Sequence, residues 1–352
     1  MGIEQHTIDE IGPGRWDAFV RSHPHGSLYH LSAWHRVMKW SYGIETKYLV
    51  IFDESGEIRA GLPIVNLRNL FLGRRSVCYP FSDYCDPLVT KNEDLVKLVK
   101  FLTESAEPFE IRTHQLQFPV EGIGIDDSYS NYVIDLKNER GVLYSRLHSS
   151  CIRRKIRKAE ASGILIREGR DPADLKDFYR LHLLTRRRLG LPTQPFLFFF
   201  LLWEEFGVYG DMKLLFAEHQ GRRIGCLVLI GFKNAESFSG GGTMYYKYGA
   251  SDARYFNQGV NPALFWRAIL LAREEGYSVL DLGRASDIEE AGLGTFKLHL
   301  GSEKARLVYY STTETYSGRG RFRTTYLAKK VLRKAPGCVS GLVGRCFYRF
   351  LG

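Results

Sequence analysis

The stretch that decides the fold runs from Asn257 to Glu303 and reads NQGVNPALFWRAILLAREEGYSVLDLGRASDIEEAGLGTFKLHLGSE. Asn261 suits the N-cap of a helix and Pro262 its first position, where the missing N–H has no partner to lose. Gly276 is a typical stop for that helix. The apolar run Tyr277–Leu282 then predicts a short buried strand. A helix therefore leads directly into a central strand.

This strand ends in polar residues. Asp281 and Arg284 lie at its C-terminal end, where open α/β sheets usually bind ligands. A second short helix then carries Phe296 and Lys297. The sequence therefore predicts the functional site in this part of the chain.

Length and composition indicate how many domains the chain can form and which classes of protein it can belong to. A chain of 352 residues with 44% apolar residues is long enough for two domains. Its six cysteines show no CxxC pairing, so the sequence signals neither a zinc knuckle nor a redox dithiol. No other metal constellation stands out in the sequence. No secretory leader is recognisable, and the aromatic run Phe196–Trp203 is too short to span a bilayer. We therefore expect a cytoplasmic protein with reduced thiols.

The net charge of +10 is concentrated in two stretches. Residues 146–188 contain thirteen basic and five acidic residues, and nine basic residues follow Glu314 with no acidic one among them. Such patches favour phosphate-bearing partners, which include nucleic acid, nucleotide-linked substrates and anionic membranes. An ordinary solvated surface is the alternative for each patch.

The two halves of the chain repeat one pattern. Lys47–Phe52 and Glu57–Leu67 predict a β-hairpin, and Lys213–Glu218 and Arg223–Phe232 predict another. Each hairpin is followed by a further strand, a loop, a helix and a strand, at an offset of roughly 170 residues. Chance likeness of two generic α/β segments is the alternative. The repeated order favours an α/β (α+β) protein made of two copies of one mixed-sheet domain.

We place the first domain at residues 1–140 and the second at 141–315, the latter opening with a basic helical segment. Residues 316–352 form a basic amphipathic tail. Residues 30–120 and 165–312 are expected to superimpose with the same strand order.

Two basic helices are predicted at the start of the second domain. In the first, Arg154 lies among cations that surround a buried apolar stripe. The second ends on Arg187 and Arg188 beside a Gly-Leu-Pro turn, where a guanidinium is well placed to bind phosphate or carboxylate. Plain solvation of these faces is the alternative.

Several motifs together resemble the FemAB-like branch of the GNAT N-acyltransferase superfamily. They are SSCIRRKIRKAE, FYRLHLLTRRRLGLPTQPF, NPALFWRAI, LDLGRAS and GTFKLHLGSE, with HLSAWHRVM and PFSDYCDPL in the first half. The resemblance covers about Leu28 to Tyr310, and FK-x-x-x-G and DLGR are its more specific parts. It implies a tandem GNAT fold and acyl transfer to an amine. In the best-known members, tRNA carries an amino acid as the acyl group, and the amine belongs to a peptidoglycan precursor.

The resemblance also implies roles for two catalytic residues. Lys297 matches the lysine of the FK motif, and in that role it would bind the donor phosphate or the developing negative charge. The alternative is a solvent-facing lysine on an amphipathic helix. Asp83, in PFSDYCDP, would accept a hydrogen bond from an N–H of the incoming amine or orient that amine. The alternative is an aspartate that only forms a turn. A mutual ion pair is the alternative for Asp281 and Arg284. The remaining candidates are substrate-binding residues: Phe296, Asp281, Arg284, Tyr246, Tyr84, Arg154, Arg187 and Arg188.

The donor remains open between aminoacyl-tRNA and acyl-CoA, neither of them a tightly bound cofactor. Acyl-CoA enzymes of the superfamily cradle pyrophosphate in a glycine-rich loop that opens a helix. The corresponding loop Arg254–Asn261 offers only Gly259, which weakens the case for CoA. Three functions therefore stand: aminoacyl or acyl transfer to an envelope precursor (peptidoglycan or surface polysaccharide), CoA-dependent N-acetylation, and a non-catalytic basic module that binds nucleic acid or membrane.

The tail combines cations with apolar residues, and Pro336 and Gly337 divide it into two short pieces. Such pieces suit the interface of an anionic membrane, which would place the protein at the inner membrane face. Folding back of the tail onto the two domains is the alternative.

Overall fold

The structure is a computed structural model. It describes residues 2–69, 73–105, 107–114, 122–234, 241–288 and 290–312, together with Arg333 and Gly344. The proposed amphipathic tail therefore lies almost wholly outside the described residues. Arg333 accepts a hydrogen bond from Arg187 through its carbonyl oxygen, at 3.1 Å. None of the described helices combines the length and the apolarity needed to span a bilayer.

A seven-stranded mixed sheet forms most of the first half. In spatial order it runs β1-β2-β3-β4-β5-β14-β6. The strands are β1 Glu4–His6, β2 Thr46–Phe52, β3 Ile58–Asn69, β4 Gly73–Val77, β5 Phe109–Thr113, β14 Val308–Ser311 and β6 Gly124–Asp126. Only β4 and β5 pair in parallel; the other neighbours are antiparallel.

A second seven-stranded sheet runs β8-β9-β10-β11-β12-β7-β13. Its strands are β8 Leu165–Gly169, β9 Met212–His219, β10 Arg222–Phe232, β11 Thr243–Ser251, β12 Val279–Ser286, β7 Tyr129–Asp135 and β13 Glu303–Arg306. The single parallel pair is β11 with β12, at the same place in the order as β4 with β5. The predicted fold, two duplicated mixed-sheet domains with a shared strand order, is thus confirmed.

The two sheets exchange their sixth strand. β14 follows the second sheet in sequence but lies in the first, and β7 precedes most of the second sheet but lies within it. The division between the sheets therefore does not coincide with the predicted boundary at residue 140. The reason is backbone pairing, because each exchanged strand bonds to neighbours on both sides. This exchange ties the two domains together.

Helices cover the sheets and join the domains. Their bounds are α1 Ile8–Ile11, α2 Pro13–Ser22, α3 Ser32–Tyr42, α4 Asn92–Glu104, α5 Arg140–Arg146, α6 Arg154–Ala161, α7 Asp174–Leu189, α8 Phe196–Leu202, α9 Val260–Glu274 and α10 Ala291–His299. A π-helical turn, Ser149–Arg153, runs directly into α6. The predicted apolar stripe of that helix is confirmed, since Ile152 and Ile156 are buried.

Two sequence-based details of the central segment were wrong. α9 begins at Val260, because Gly259 adopts φ +84° and forms the N-cap in place of Asn261. Pro262 still lies in the first turn. The strand predicted to end at Leu282 extends to Ser286, because its pairing with β7 resumes after an irregularity. Arg284 therefore lies within β12 rather than beyond it.

Candidate active site at the domain interface

The candidate site lies where β11 and β12 separate. Their parallel pairing ends at Tyr245 and Asp281. Beyond that point β11 contains a bulge at Lys247, and β12 is irregular between Asp281 and Arg284, where Gly283 adopts φ +73°. Bulges redirect side chains and end regular pairing, which is why they recur beside active sites. The local backbone therefore opens the sheet here.

Asp83 occupies this opening, although it belongs to the loop after β4 in the first domain. Its Oδ2 accepts a hydrogen bond from the Tyr29 hydroxyl at 3.1 Å and lies 3.4 Å from Lys247 Nζ. Its Oδ1 lies 3.5 Å from Arg284 Nε. Lys247 also donates to the Tyr29 hydroxyl at 2.7 Å. Asp83, Tyr29, Lys247 and Arg284 are called the Asp83 cluster below.

The Asp83 carboxyl group is held in its charged form. Burial alone would raise its pKa, but the positive charges of Lys247, Arg284 and Lys297 lower the pKa below its ordinary value. The side chain keeps one fifth of its surface exposed, at 20%. The cluster thus presents an accessible carboxylate at neutral pH.

Asp281 is a buried neighbour with a different environment. Its Oδ2 accepts from the Tyr84 hydroxyl at 2.8 Å and from Asn131 Nδ2 at 2.9 Å, and its Oδ1 accepts the Gly283 N–H at 2.6 Å. Burial, together with the charge of Asp83, raises its pKa. The suggested ion pair of Asp281 with Arg284 is wrong, because Arg284 pairs with Asp83 across the domain interface.

Lys297 reaches the opening from α10. It is only 3% exposed, and its ammonium donates to the carbonyl oxygens of Gly283 at 2.9 Å and Arg284 at 2.8 Å. Burial lowers its pKa to about 8, although the nearby carboxylates of Asp83 and Asp281 oppose this effect. The alternative of a solvent-facing lysine is therefore wrong.

The candidates Phe296 and Tyr246 lie together in an aromatic group. Both rings pack against Phe265, with centroid distances of 5.5 and 4.8 Å. Phe296 also lines a pocket at the start of α9, which we call the α9 pocket. Its other lining residues include Cys151, Lys155, Phe256, Asn261, Thr295 and His299.

The loop before α9 has a packing role. A Cβ atom at Gly259 would collide with the carbonyl oxygen of Lys155, and the residue also adopts φ +84°. This glycine is therefore needed for the close contact between the loop and α6. The choice between the two predicted donors stays a prediction.

The three candidate arginines make their contacts elsewhere. Arg154 is exposed on α6, Arg187 donates to the Arg333 carbonyl, and the Arg188 guanidinium lies 5.0 Å from the centre of the Phe256 ring. Arg188 is thus beside the α9 pocket. Their roles in substrate binding stay predictions.

Sequence reasoning missed several residues of the site. They are Tyr29, Lys247, Asn131 and Tyr309, whose hydroxyl accepts from Arg284 at 3.1 Å and donates to the Asp83 carbonyl at 2.9 Å. A signal existed for Lys247, because strand alternation places it on the face of Tyr245, and a lysine on a buried face needs a partner. No comparable signal marks Tyr309, which reaches the site only through the strand exchange.

Residues 148–297 match the family model for an acetyltransferase (GNAT) domain. This part of the chain is therefore similar to a GNAT domain. The match begins at the turn before α6 and ends at Lys297, so it includes β11 and β12. No curated protein matches the sequence.

Solved structures extend the likeness to both halves. FemX is 16% identical, with a TM-score of 0.62 over 88% of this chain and 97% of its own. The C-terminal domain of an Agrobacterium fabrum protein assigned as a lysylphosphatidylglycerol synthetase is 13% identical, with a TM-score of 0.56 over 91% and 96%. A tandem GNAT protein from the clavulanic acid biosynthesis pathway is 8% identical, with a TM-score of 0.50 over 88% and 99%. The chain thus shares its fold with these proteins, as the predicted resemblance to the FemAB-like branch of the GNAT superfamily implies.

Proposed function

We propose that the protein transfers an acyl or aminoacyl group to an amine at the Asp83 cluster. The observation that carries this proposal is an accessible carboxylate, held by Lys247, Arg284 and Tyr29, at the point where the two parallel strands of a GNAT domain separate. The match of that domain to an acetyltransferase family supports acyl transfer as the reaction class.

Asp83 attracts and orients the amine in this proposal. A carboxylate with a lowered pKa is a weak base, so it is poorly suited to remove a proton from an ammonium group. It is well suited to accept an N–H hydrogen bond and to hold the nitrogen within attack distance of the acyl carbon. Its exposed fraction gives the acceptor a route to it.

Lys297 stabilises negative charge on the donor. An ammonium group has three N–H donors, and the carbonyls of Gly283 and Arg284 take two of them. We assign the third to the acyl oxygen or to the donor phosphate. A fixed cation of this kind needs no reorganisation when charge develops, which is the main source of its catalytic effect.

Aminoacyl-tRNA is the donor that we favour, with acyl-CoA as the alternative. Four cations are exposed on α6, namely Arg154, Lys155, Arg157 and Lys158, and such a face suits a polyanion. The loop before α9 carries a single glycine, Gly259, and that residue packs against Lys155 of α6. Arg187 and Arg188 extend the same basic region.

For the acceptor we propose an amine of a cell-envelope precursor, of peptidoglycan or of a surface polysaccharide. The likeness to FemX supports this assignment, and a cytoplasmic protein that reaches the inner membrane face would meet such a precursor.

The decisive experiment offers the protein charged tRNA, acyl-CoA and a panel of amine-bearing precursors, with mass spectrometry to detect an acylated product. Asp83→Asn is expected to lower kcat/KM at least tenfold, mainly through the acceptor KM. Asp53→Asn removes a carboxylate from an exposed turn and serves as the matched control. Product formation that is equal in both variants would exclude the Asp83 cluster as the site.

The basic face of α6 also favours a second candidate, a non-catalytic module that binds nucleic acid. Its signature is sequence-independent binding that weakens steeply with salt, without acyl transfer to any amine. For such a module, replacement of Arg154 and Arg157 by glutamine would abolish nucleic-acid binding, which would be its whole activity. In the transferase, the same change raises only the KM for the tRNA donor.

A further inference from the structure

Three potential metal ligands meet at the edge of the α9 pocket. The ring nitrogens of His148 and His299 and the sulfur of Cys151 all lie within 4.8 Å of one another. The two imidazole rings have a centroid distance of 4.2 Å, and the His148 N–H donates to the His299 carbonyl at 2.9 Å. This backbone bond joins the turn before α6 to the end of α10. The three side chains are thus brought together by the fold.

We propose that His148, Cys151 and His299 bind one divalent transition-metal ion, with Zn²⁺ as the best match. Thiolate and imidazole are the ligands that Zn²⁺ prefers, whereas Mg²⁺ and Ca²⁺ require oxygen ligands. Three protein ligands leave one of the four tetrahedral positions open. Because Cys151 and His299 line the α9 pocket, the open position would accept an anionic or thiol ligand from that side.

Metal binding would replace existing hydrogen bonds of His148. Its Nδ1 accepts the Cys151 N–H at 3.2 Å and lies 3.4 Å from the Ser150 hydroxyl oxygen. Ligation through Nδ1 uses the same lone pair. Ligation through Nε2 requires the proton on Nδ1, which would then donate to Ser150. In either arrangement the Cys151 N–H loses Nδ1 as its acceptor, and the metal bond would offset that loss.

The site could not be found from sequence spacing. His148 and Cys151 form a short H-x-x-C pair, but the third ligand lies on a helix far along the chain and joins them only after folding. The site is also independent of the proposed transfer reaction, because none of its three residues belongs to the Asp83 cluster.

Titration of the full chain with Co²⁺ and then with Zn²⁺ tests the proposal. All measurements use a Cys338→Ser, Cys346→Ser background as well as the native chain, since those two cysteines lie outside the described residues. We expect one ion per chain and a thiolate-to-cobalt charge-transfer band that Cys151→Ser removes. His148→Gln and His299→Gln are each expected to weaken Zn²⁺ binding at least a hundredfold. That factor is the largest loss of metal affinity usually caused by removing a residue that is only hydrogen-bonded to a metal ligand, so loss of a ligand itself should reach it. His6→Gln is the control and should change nothing.

Three results would overturn the three-ligand site. The first is the absence of stoichiometric binding in the native chain. The second is binding in the native chain that the Cys338→Ser, Cys346→Ser background lacks, which would assign the metal to the tail. The third is a Cys151→Ser effect without an effect of either histidine variant, which would reduce the site to a reactive thiol.

Discussion

The parallel strand pairs of the two sheets occupy equivalent positions but end differently. In the first sheet, the carbonyls of Glu110 and Arg112 on β5 accept the backbone N–H groups of Cys78 at 3.1 Å and Cys85 at 2.9 Å. The loop after β4 therefore closes this strand edge with main chain. In the second sheet, β12 has two carbonyls beyond its parallel pairing, those of Gly283 and Arg284, and they accept hydrogen bonds from the Lys297 ammonium.

Because of this difference, the two domains contribute to the candidate site in different ways. In the first sheet, the charged side chains at this strand end pair with each other. Arg112 Nε donates to Glu110 Oε1 at 2.6 Å, and both side chains are buried. Its loop, once closed onto β5, extends Asp83 and Tyr84 into the other domain. The second sheet stays open and holds a charged side chain at its strand end. In the proposed reaction, one copy thus offers the site, and the other supplies a carboxylate to it.

Removal of Lys297 should have the largest effect. In Lys297→Met, acyl transfer is expected to fall roughly a hundredfold or more, the scale for loss of one charge-stabilising group. The two carbonyls also lose their donor, which costs about 1–3 kcal/mol for each buried acceptor. Measurement of kcat with saturating donor and acceptor, together with thermal unfolding, separates the two effects.

Lys304→Met provides the control, because it removes an exposed lysine from the neighbouring strand β13. Full turnover by a folded Lys297→Met variant would show that Lys297 only closes the strand edge, as Cys78 and Cys85 do in the first sheet.

The sequence predicted the fold better than the site. Periodicity and turn residues identified both hairpins, since these features depend on neighbours in the chain. Asp83, Tyr84, Asp281, Arg284 and Lys297 were also predicted, and the structure brings them together. The strand exchange was not predictable, because nothing in the local pattern of β14 distinguishes its sheet.

The same limit applies to the partners within the site. Arg284 pairs with Asp83 rather than with Asp281 because of the way the two domains pack together. The periodicity of the sequence carries no information about that packing. Tyr29 enters the site from a short helical turn, Leu28–His30, whose sequence resembles ordinary core. Contacts between distant segments thus account for most of what sequence reasoning missed.

The second-largest effect is expected for Lys247. Lys247→Met removes one of the two cations beside Asp83 but leaves Arg284, so kcat/KM for the amine should fall about tenfold, the scale for one hydrogen bond to a charged group. The KM for the donor should change little. Lys213→Met, which breaks an ion pair with Glu275 elsewhere, is the control. An unchanged acceptor KM would show that Arg284 and Tyr29 hold Asp83 without Lys247.

A matched pair of glycines tests the shape of the opening. Gly283 and Gly43 adopt similar φ values, +73° and +67°, so an alanine at either should cost about 1–2 kcal/mol of stability. A Cβ at Gly283 would also lie 3.2 Å from Asp83 Oδ2, whereas nothing lies within 4 Å at Gly43. Gly283→Ala should therefore lower transfer several-fold and Gly43→Ala should not. Equal activity of the two variants would show that Asp83 tolerates displacement.

The smallest effect concerns two buried histidines, one in each domain. Burial lowers the pKa of His30 to about 4 and that of His182 to about 3. The neutral His30 ring suits its site, since Nε2 donates to the Asp86 carbonyl at 2.8 Å and Nδ1 accepts from the Ser27 hydroxyl at 2.8 Å. His182 Nε2 donates to Gln194 Oε1 at 3.0 Å.

In the unfolded chain both rings titrate near pH 6.5, so between pH 6.5 and 4 the unfolded state gains protons that the folded state does not. Their contribution to stability is thus complete above pH 6.5 and falls below it, by up to roughly 3 kcal/mol for each histidine at pH 4. Urea unfolding of His30→Gln and His182→Gln between pH 7 and 4 should show a flatter decline than the His6→Gln control. Because β7 and β14 tie the sheets together, both variants should shift one common transition. Two separate transitions, each sensitive to one histidine, would show that the exchanged strands do not couple the domains.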